Sequence, residues 1–369
     1  MVSFSVHQDA ALKAADAWLK QKPGTGETPQ LFRLFGYAGT GKTTLARHLA
    51  EHVSGEVKFA AFTGKAAQVM RNKGCHGATT IHSLIYKARE SEEQTPNFEL
   101  WDNAPASRAK LIIIDECSMV DAELGRDLLS FGVPVLVLGD PAQLPPIKGT
   151  GFFTEAQPDV MLSEVHRQAE DDPIIRMSVA VRSGEALQPG QYDRSEIVSR
   201  GDLDPDRVLN ADQVLVGRNA TRRAYNQRLR QRRGIEDTFP VAGDRLVCLR
   251  NNRRKGLFNG SLWIVDERAP PRRNVLKLRV MPDDEAGAKP VQVSVRAECF
   301  SGGIEDLDWS QRKRHDEFDY GYVLTVHKSQ GSQWDDVVLF DESFAFPDSR
   351  ARWLYTGITR AARRLCIVV

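Results

Sequence analysis

Leu31-Phe32-Arg33-Leu34-Phe35-Gly36-Tyr37-Ala38-Gly39-Thr40-Gly41-Lys42-Thr43-Thr44 runs from an apolar, strand-sized stretch into glycines and ends on a lysine and two threonines. Gly36 to Thr43 fit the pattern G-x-x-x-x-G-K-T. A strand pattern precedes the motif and a helical one (43–52) follows, which is the context that makes it specific. Glycines let a backbone wrap so that several N–H groups point at a polyphosphate. A helix N-terminus adds favourable partial charge. Gly36, Ala38, Gly39, Thr40, Gly41, Lys42, Thr43 and Thr44 are therefore the candidate nucleotide-binding set. Lys42 offers a mobile cation to the β- and γ-phosphates, and Thr43 offers a hydroxyl to Mg²⁺.

Outward from this loop, apolar runs at 31–35, 57–62, 111–114 and 133–138 alternate with amphipathic segments. They predict buried parallel strands in an α/β layer fold. Residues 8–20 have helical spacing, with Ala11, Leu12, Ala15, Trp18 and Leu19 on one face. The pattern breaks at 88–108, where polar residues surround Phe98 and Trp101, and a hairpin excursion is expected there. A second α/β set lies at 213–216, 322–326, 337–340 and 365–369. Within it, 243–315 reads as short alternating strands split by turns, a small all-β insertion. The predicted division is a first lobe at 1–165, a second at 166–242 and 316–369, and the insertion at 243–315.

The chain has 369 residues, 41% of them hydrophobic, and a formal net charge of +1. That length suits two or three domains, each with its own core. The near-zero charge means that a nucleic-acid surface must come from local clustering. Five scattered cysteines give neither zinc-site spacing nor a disulfide framework, and a reducing cytoplasm is expected. The N-terminus lacks a signal-peptide pattern, and no apolar run reaches membrane-spanning length.

Two further segments place chemistry at strand ends, where α/β sheets bind ligands. The run 111–114 closes on Asp115 and Glu116. Asp115 is the candidate to hold Mg²⁺, and Glu116 the candidate to orient and polarise an attacking water. Gly139-Asp140-Pro141-Ala142-Gln143 follows another apolar run, and Gln143 is a candidate γ-phosphate sensor. Arg167 and Arg360 are candidates to neutralise transition-state charge.

This ordered set resembles the RecD-like and Dda-like helicases, the 5′→3′ branch of helicase superfamily 1. The matching segments are 36–44, 61–70, 79–84, 115–120, 139–146, 162–168, 322–331 and 353–361, nearly the whole chain. Thr325-Val326-His327-Lys328-Ser329-Gln330-Gly331 is the most specific of them. The resemblance implies two RecA-like P-loop NTPase lobes that close on ATP, with single-stranded and forked DNA as the partner. It implies that Gln8 reads adenine and that Gln330 links strand to nucleotide. It further implies that Thr63, Gly64, Lys65, Thr80 and His82 contact the strand from the first lobe. Thr325, His327, Lys328 and Ser329 do so from the second. The excursion at 88–108 stands where the family carries a strand-separating pin, with Phe98 or Trp101 as its aromatic. The insertion at 243–315 resembles the family's SH3-like subdomain.

Three departures stand out. Gln333 occupies a position often held by Glu, Cys117 follows the acids in place of a smaller residue, and the long N-terminal domain of larger relatives is not expected. A minimal, monomeric motor is expected. Arg218, Arg222, Arg223, Arg228, Arg230, Arg232 and Arg233 have no acid between them. They predict either a cationic stripe that follows phosphates or a solvated helix face. Arg253, Arg254 and Lys255 crowd a predicted loop. The alternatives to a DNA helicase are an RNA helicase, a translocase that does not unwind, or a nucleotide-switched binding module.

Overall fold

The computed structural model describes residues 4–24, 28–89, 97–145, 151–164, 171–283 and 288–369. The first lobe is built on β1 (Leu31–Gly36), β2 (Val57–Ala61), β3 (Thr79–Thr80), β6 (Leu111–Asp115), β7 (Val135–Gly139) and β8 (Val160–Leu162), with the hairpin β4 (Tyr86–Arg89) and β5 (Asn97–Leu100) outside the sheet. Its order is β3-β2-β6-β7-β1-β8, every pair parallel. Alternate residues of β6 and β7 face opposite layers. Ile113, Leu136 and Leu138 pack under the helices Val6–Lys20, Lys42–Glu51 and Gly64–Asn72. Ile112, Ile114, Val135 and Val137 pack under Ile81–Ile85 and Ala122–Leu129. Both faces are covered, which is why these strands read as unbroken apolar runs.

The second lobe opens with the helix Pro173–Arg182, and its first strands are β9 (Gly190–Tyr192), β10 (Ser195–Val198) and β11 (Gln213–Val216). The chain then leaves for a five-stranded antiparallel sheet of β12 (Arg245–Cys248), β13 (Leu262–Arg268), β14 (Val275–Pro282), β15 (Val291–Arg296) and β16 (Phe318–Tyr320), in the order β15-β14-β13-β12-β16. It returns as β17 (Val323–Thr325), β18 (Trp334–Phe340) and β19 (Ala361–Val368) to give β17-β11-β18-β19-β10-β9, parallel except at β9. The antiparallel sheet takes its fifth strand beyond residue 315, where the sequence pattern ends it. Gly321 makes the passage to β17. A Cβ there would stand 2.8 Å from the Leu246 carbonyl carbon, so only glycine fits.

The arginine-rich stretch is the helix Asn219–Arg232 with its flanking Arg218 and Arg233, and Arg218, Arg222 and Arg230 are paired with acids, which partly neutralises the cationic stripe expected of it. Arg218 meets Glu342 at 3.1 Å, and Arg222 meets Asp319 at 2.6 Å. Arg233 donates to the Leu209 carbonyl and lies over Tyr322. Buried Arg230 places Nε and Nη2 each 3.0 Å from buried Asp244, which also accepts from Val241 N and Tyr322 Oη. These arginines bind the helix to the rest of the lobe. Asp244→Ala leaves the Arg230 charge buried without its counter-ion, a loss of about 3–5 kcal/mol. Urea denaturation should show that loss as a lower midpoint, and an unchanged midpoint would refute the structural role.

Among the described residues no helix is long and apolar enough to cross a membrane.

Candidate active site

β1, β7 and β6 are neighbours, and their carboxyl ends deliver three loops to one cleft. The first is Gly36–Thr43. Gly39 and Gly41 have φ of +80° and +79°, the left-handed region that side chains avoid. A Cβ on Gly36 would stand 2.6 Å from Thr40 Oγ1. The helix Lys42–Glu51 then starts without a side-chain cap, so its first N–H groups remain to bind an anion. Lys42 Nζ donates to the carbonyls of Gly36 (2.6 Å) and Tyr37 (3.0 Å).

The second loop carries the acids. Thr43 Oγ1 donates to Asp115 Oδ2 at 2.9 Å, which joins a hydroxyl and a carboxylate in a hard oxygen pair suited to Mg²⁺. Glu116 follows with φ +53°, a strained conformation for a non-glycine residue, and its N–H donates to Asp115 Oδ1. Loss of hydration deep in the cleft holds the Glu116 carboxyl above the ordinary range. Arg360 and Lys42 oppose that shift, and Asp115 and Asp140 reinforce it. Cys117 is fully buried, and its sulfur fills the space left by Gly139, where a Cβ would be 2.7 Å away. That contact is the physical reason a cysteine fits after the acids.

The third loop, after β7, brings Gln143. It is 7% exposed, and its Oε1 accepts no hydrogen bond among the described residues. A buried acceptor left without a partner is costly, so this atom is suited to a water or ligand in the cleft.

The opposite wall belongs to the second lobe. Gly331, Ser332, Gln333, Thr359 and Arg360 face Lys42, Thr43, Asp115, Glu116 and Gln143 across a cleft of about 540 Å³. Arg360 is 5% exposed. Its guanidinium donates to the carbonyls of Thr356 (3.0 Å) and Ser332 (3.1 Å) and to Thr359 Oγ1 (3.2 Å), which fixes the fork. It is the largest electrostatic influence on Glu116.

Gln8 is buried behind the phosphate loop. Its Nε2 donates to the Thr40 carbonyl at 3.1 Å, and its Oε1 closes a capping box with Ser5. It lies outside the residues that line the cleft. Gln330 likewise lies behind the wall and donates to the Leu144 carbonyl at 3.1 Å. Arg167 lies outside the described residues. Two residues missed in the sequence are Tyr37 and Arg182. The Arg182 guanidinium, on the second-lobe helix Pro173–Arg182, sits 3.4 Å from the Tyr37 ring centre. Each is an unremarkable residue within its own segment, so nothing local signals the pair.

The expected strand contacts gather at the carboxyl edges of both sheets. Thr63 caps the helix Gly64–Asn72 and Thr80 caps Ile81–Ile85. Thr325 Oγ1 accepts from Lys328 N, and Ser329 Oγ donates to the Val326 carbonyl. These four hydroxyls are thus engaged in local structure. His82 and His327 are half-buried, and burial lowers the pKa of each. Lys328 Nζ donates to Asn259 Oδ1 of the antiparallel sheet's Gly256–Gly260 turn. Phe258 of the same turn packs on Gly64, where a Cβ would come within 2.6 Å, and Gly260 approaches Lys65. The two lobes meet where a Cβ on Gly331 would be 2.8 Å from that of Ala66. The Phe98 side chain lies outside the described residues, while Trp101, just past β5, is 38% exposed.

A family model described as an AAA domain matches residues 25–202, and one described as a UvrD-like helicase C-terminal domain matches residues 320–368. The ATP-dependent RecD2 DNA helicase of Deinococcus radiodurans is 28% identical over 353 residues, 91% of this chain and 46% of that protein. The ATP-dependent DNA helicase dda of Enterobacteria phage T4 is 30% identical over 164 residues, 40% of this chain and 37% of that protein. The chain thus spans less than half the length of either relative. A Pif1 helicase solved in a study of DNA unwinding at forked double-stranded DNA shares the fold, with a TM-score of 0.60 at 20% identity over 99% of this chain and 92% of that one.

Proposed function

The chain belongs to the RecD-, Dda- and Pif1-like helicases of superfamily 1, and on that premise we propose that it hydrolyses ATP to move 5′→3′ along single-stranded DNA and to open duplex ahead of it. The observation that carries this reading is Arg360. A guanidinium from one lobe stands across the cleft from Lys42, Asp115 and Glu116 of the other. Cleavage of a triphosphate held between them removes the group both sides grip, and the lobes lose a reason to stay closed.

In this reading the uncapped helix N-terminus and Lys42 hold the phosphates. Thr43 and Asp115 would hold Mg²⁺, which would supply positive charge to offset that of the phosphates. Glu116 takes the proton of the attacking water, which Gln143 Oε1 helps to orient by accepting from it. Arg360 meets the charge that builds on the transferring phosphoryl group. The DNA strand lies along Thr63, Gly64, Lys65, Thr80 and His82, then Thr325, His327, Lys328 and Ser329. The antiparallel sheet is the SH3-like subdomain, and the β4–β5 hairpin is the pin, with exposed Trp101 at its base, just past β5.

Strand-displacement assays on duplexes with a 5′ or a 3′ single-stranded tail, in DNA and in RNA, test this directly. Unwinding of the 5′-tailed DNA duplex is expected, and a preference for the 3′ tail or for RNA would overturn the polarity or the substrate. In the same assay Trp101→Ala should slow strand separation and leave strand-stimulated ATP turnover intact. Base stacking worth about 1–3 kcal/mol sets the size of that effect.

A further inference from the structure

The helix Arg350–Ile358 of the second lobe reaches the first through two neighbouring side chains. Tyr355 Oη donates to Asp140 Oδ2 at 2.7 Å and accepts from Ala38 N at 3.1 Å. Tyr355 is 1% exposed and Asp140 is 2% exposed. Ala38 belongs to the phosphate loop, and Asp140 opens the loop that carries Gln143. The next residue on the helix, Thr356, accepts from Leu144 N through Oγ1 at 3.0 Å. One helical turn from the second lobe therefore holds two of the three first-lobe loops of the cleft. A buried phenol that only filled space would need a single partner for its hydroxyl. This one is bonded on both sides to groups whose positions set the geometry of the cleft.

The same helix is packed against the strand-contact loop. The His327 ring lies 5.2 Å from Phe346, and Phe346 stacks on Trp353 at 5.8 Å and 11°. Trp353 is fully buried. A Cβ on Gly357 would stand 3.3 Å from Val326 Cγ2, so the loop and the helix are in contact at a second point. His327, Phe346 and Trp353 thus join the strand edge to the helix that carries Tyr355. Desolvation holds the Tyr355 phenol above its ordinary pKa, so it stays a donor to Asp140.

We propose that Tyr355 is a positioning residue that ties the phosphate loop and the Gln143 loop to the second lobe, and through which DNA bound at the strand edge stimulates ATP turnover. The proposal rests on the helicase reading above. Its hydroxyl does not touch the reacting phosphate. It sets where the Ala38 N–H and the Gln143 loop stand as the second lobe moves. Contiguity alone does not make two sites coupled, so the decisive measurement is of coupling.

Tyr355→Phe keeps the ring and removes both bonds. Steady-state ATP turnover is measured with and without saturating single-stranded DNA. The ratio of stimulated to unstimulated kcat is expected to fall by about 5-fold or more, the low end of ordinary coupling, with KM for ATP within about 3-fold of the parent. Asp140 accepts from Tyr355 Oη through one oxygen and from Ala142 N through the other, so Asp140→Asn, with a single acceptor oxygen, should lose part of the stimulation, and Asp140→Ala should lose at least as much as Tyr355→Phe. Tyr355→Phe combined with Asp140→Ala should cost no more than Asp140→Ala alone. A Tyr355→Phe protein with full stimulation and only a lower melting temperature would overturn the proposal. An unaltered protein without strand-stimulated turnover would sink the helicase reading and the proposal with it, a result distinct from a normal variant beside a stimulated parent.

Discussion

Glu116→Gln should bind ATP as the parent does and turn it over about 10²–10⁴-fold more slowly, the ordinary size of a general-base contribution. In barrier terms that is about 3–5 kcal/mol. The replacement is nearly isosteric, so the strained backbone at φ +53° and the Asp115 bond to its N–H persist. What is lost is the capacity to take a proton. Removing a negative charge beside the triphosphate leaves affinity the same or higher. The pH dependence follows from the raised carboxyl. A base works only when ionised, so turnover declines as pH falls through its pKa in the folded protein. Burial places that decline above the ordinary glutamate range. The limb should be present in the parent and absent from the residual turnover of the variant. Nucleotide titration with a fluorescent analogue and a kcat profile across pH check both halves. Parental turnover in Glu116→Gln would remove it as the base.

The sequence made the first lobe legible where a long apolar run ends on residues that carry chemistry. β6 and β7 are buried on both faces, so every position is apolar and the run stops sharply at Asp115 and Gly139. β8, β9 and β10 gave no such signal. They have three or four residues each; β8 and β10 join the sheets through strands distant in the chain, and β9, largely exposed, pairs only with the adjacent β10. The same limit explains the arginines. No acid stands among them locally, yet Glu342, Asp319 and Asp244 come from 124, 97 and 14 residues away to pair with Arg218, Arg222 and Arg230. The cleft divides in the same way. Lys42, Thr43, Asp115 and Glu116 were readable because spacing to a strand end fixes their place. Tyr355 and Asp140 are 215 residues apart, and neither belongs to a pattern that names the other. Gln8 was legible as a residue of interest, but its burial behind the Thr40 carbonyl comes from the packing of the helix Val6–Lys20 on the sheet.

Arg360→Ala is expected to cost about 10³–10⁵ in strand-stimulated kcat, the range of an arginine that meets transition-state charge on a phosphoryl group. That corresponds to about 4–7 kcal/mol. The side chain is buried, and its bonds to the carbonyls of Ser332 and Thr356 help hold the cleft wall. A loss of activity in the alanine variant could therefore come from a disturbed wall. Two controls separate the causes. Arg360→Lys keeps a positive charge at the wall but not the planar fork, and should recover only part of the rate. The acid limb of the pH profile supplies the second. Arg360 is the strongest of the groups that pull the Glu116 carboxyl down, so its removal lets that carboxyl rise further. Residual turnover in Arg360→Ala should then decline at a higher pH than in the parent, while Arg360→Lys stays close to the parent. A wall that had merely loosened would admit water and move the limb the opposite way, because hydration restores the ordinary carboxylate range. Near-parental turnover in the alanine variant, or a limb displaced to lower pH, would show that the guanidinium does not face the reacting phosphate.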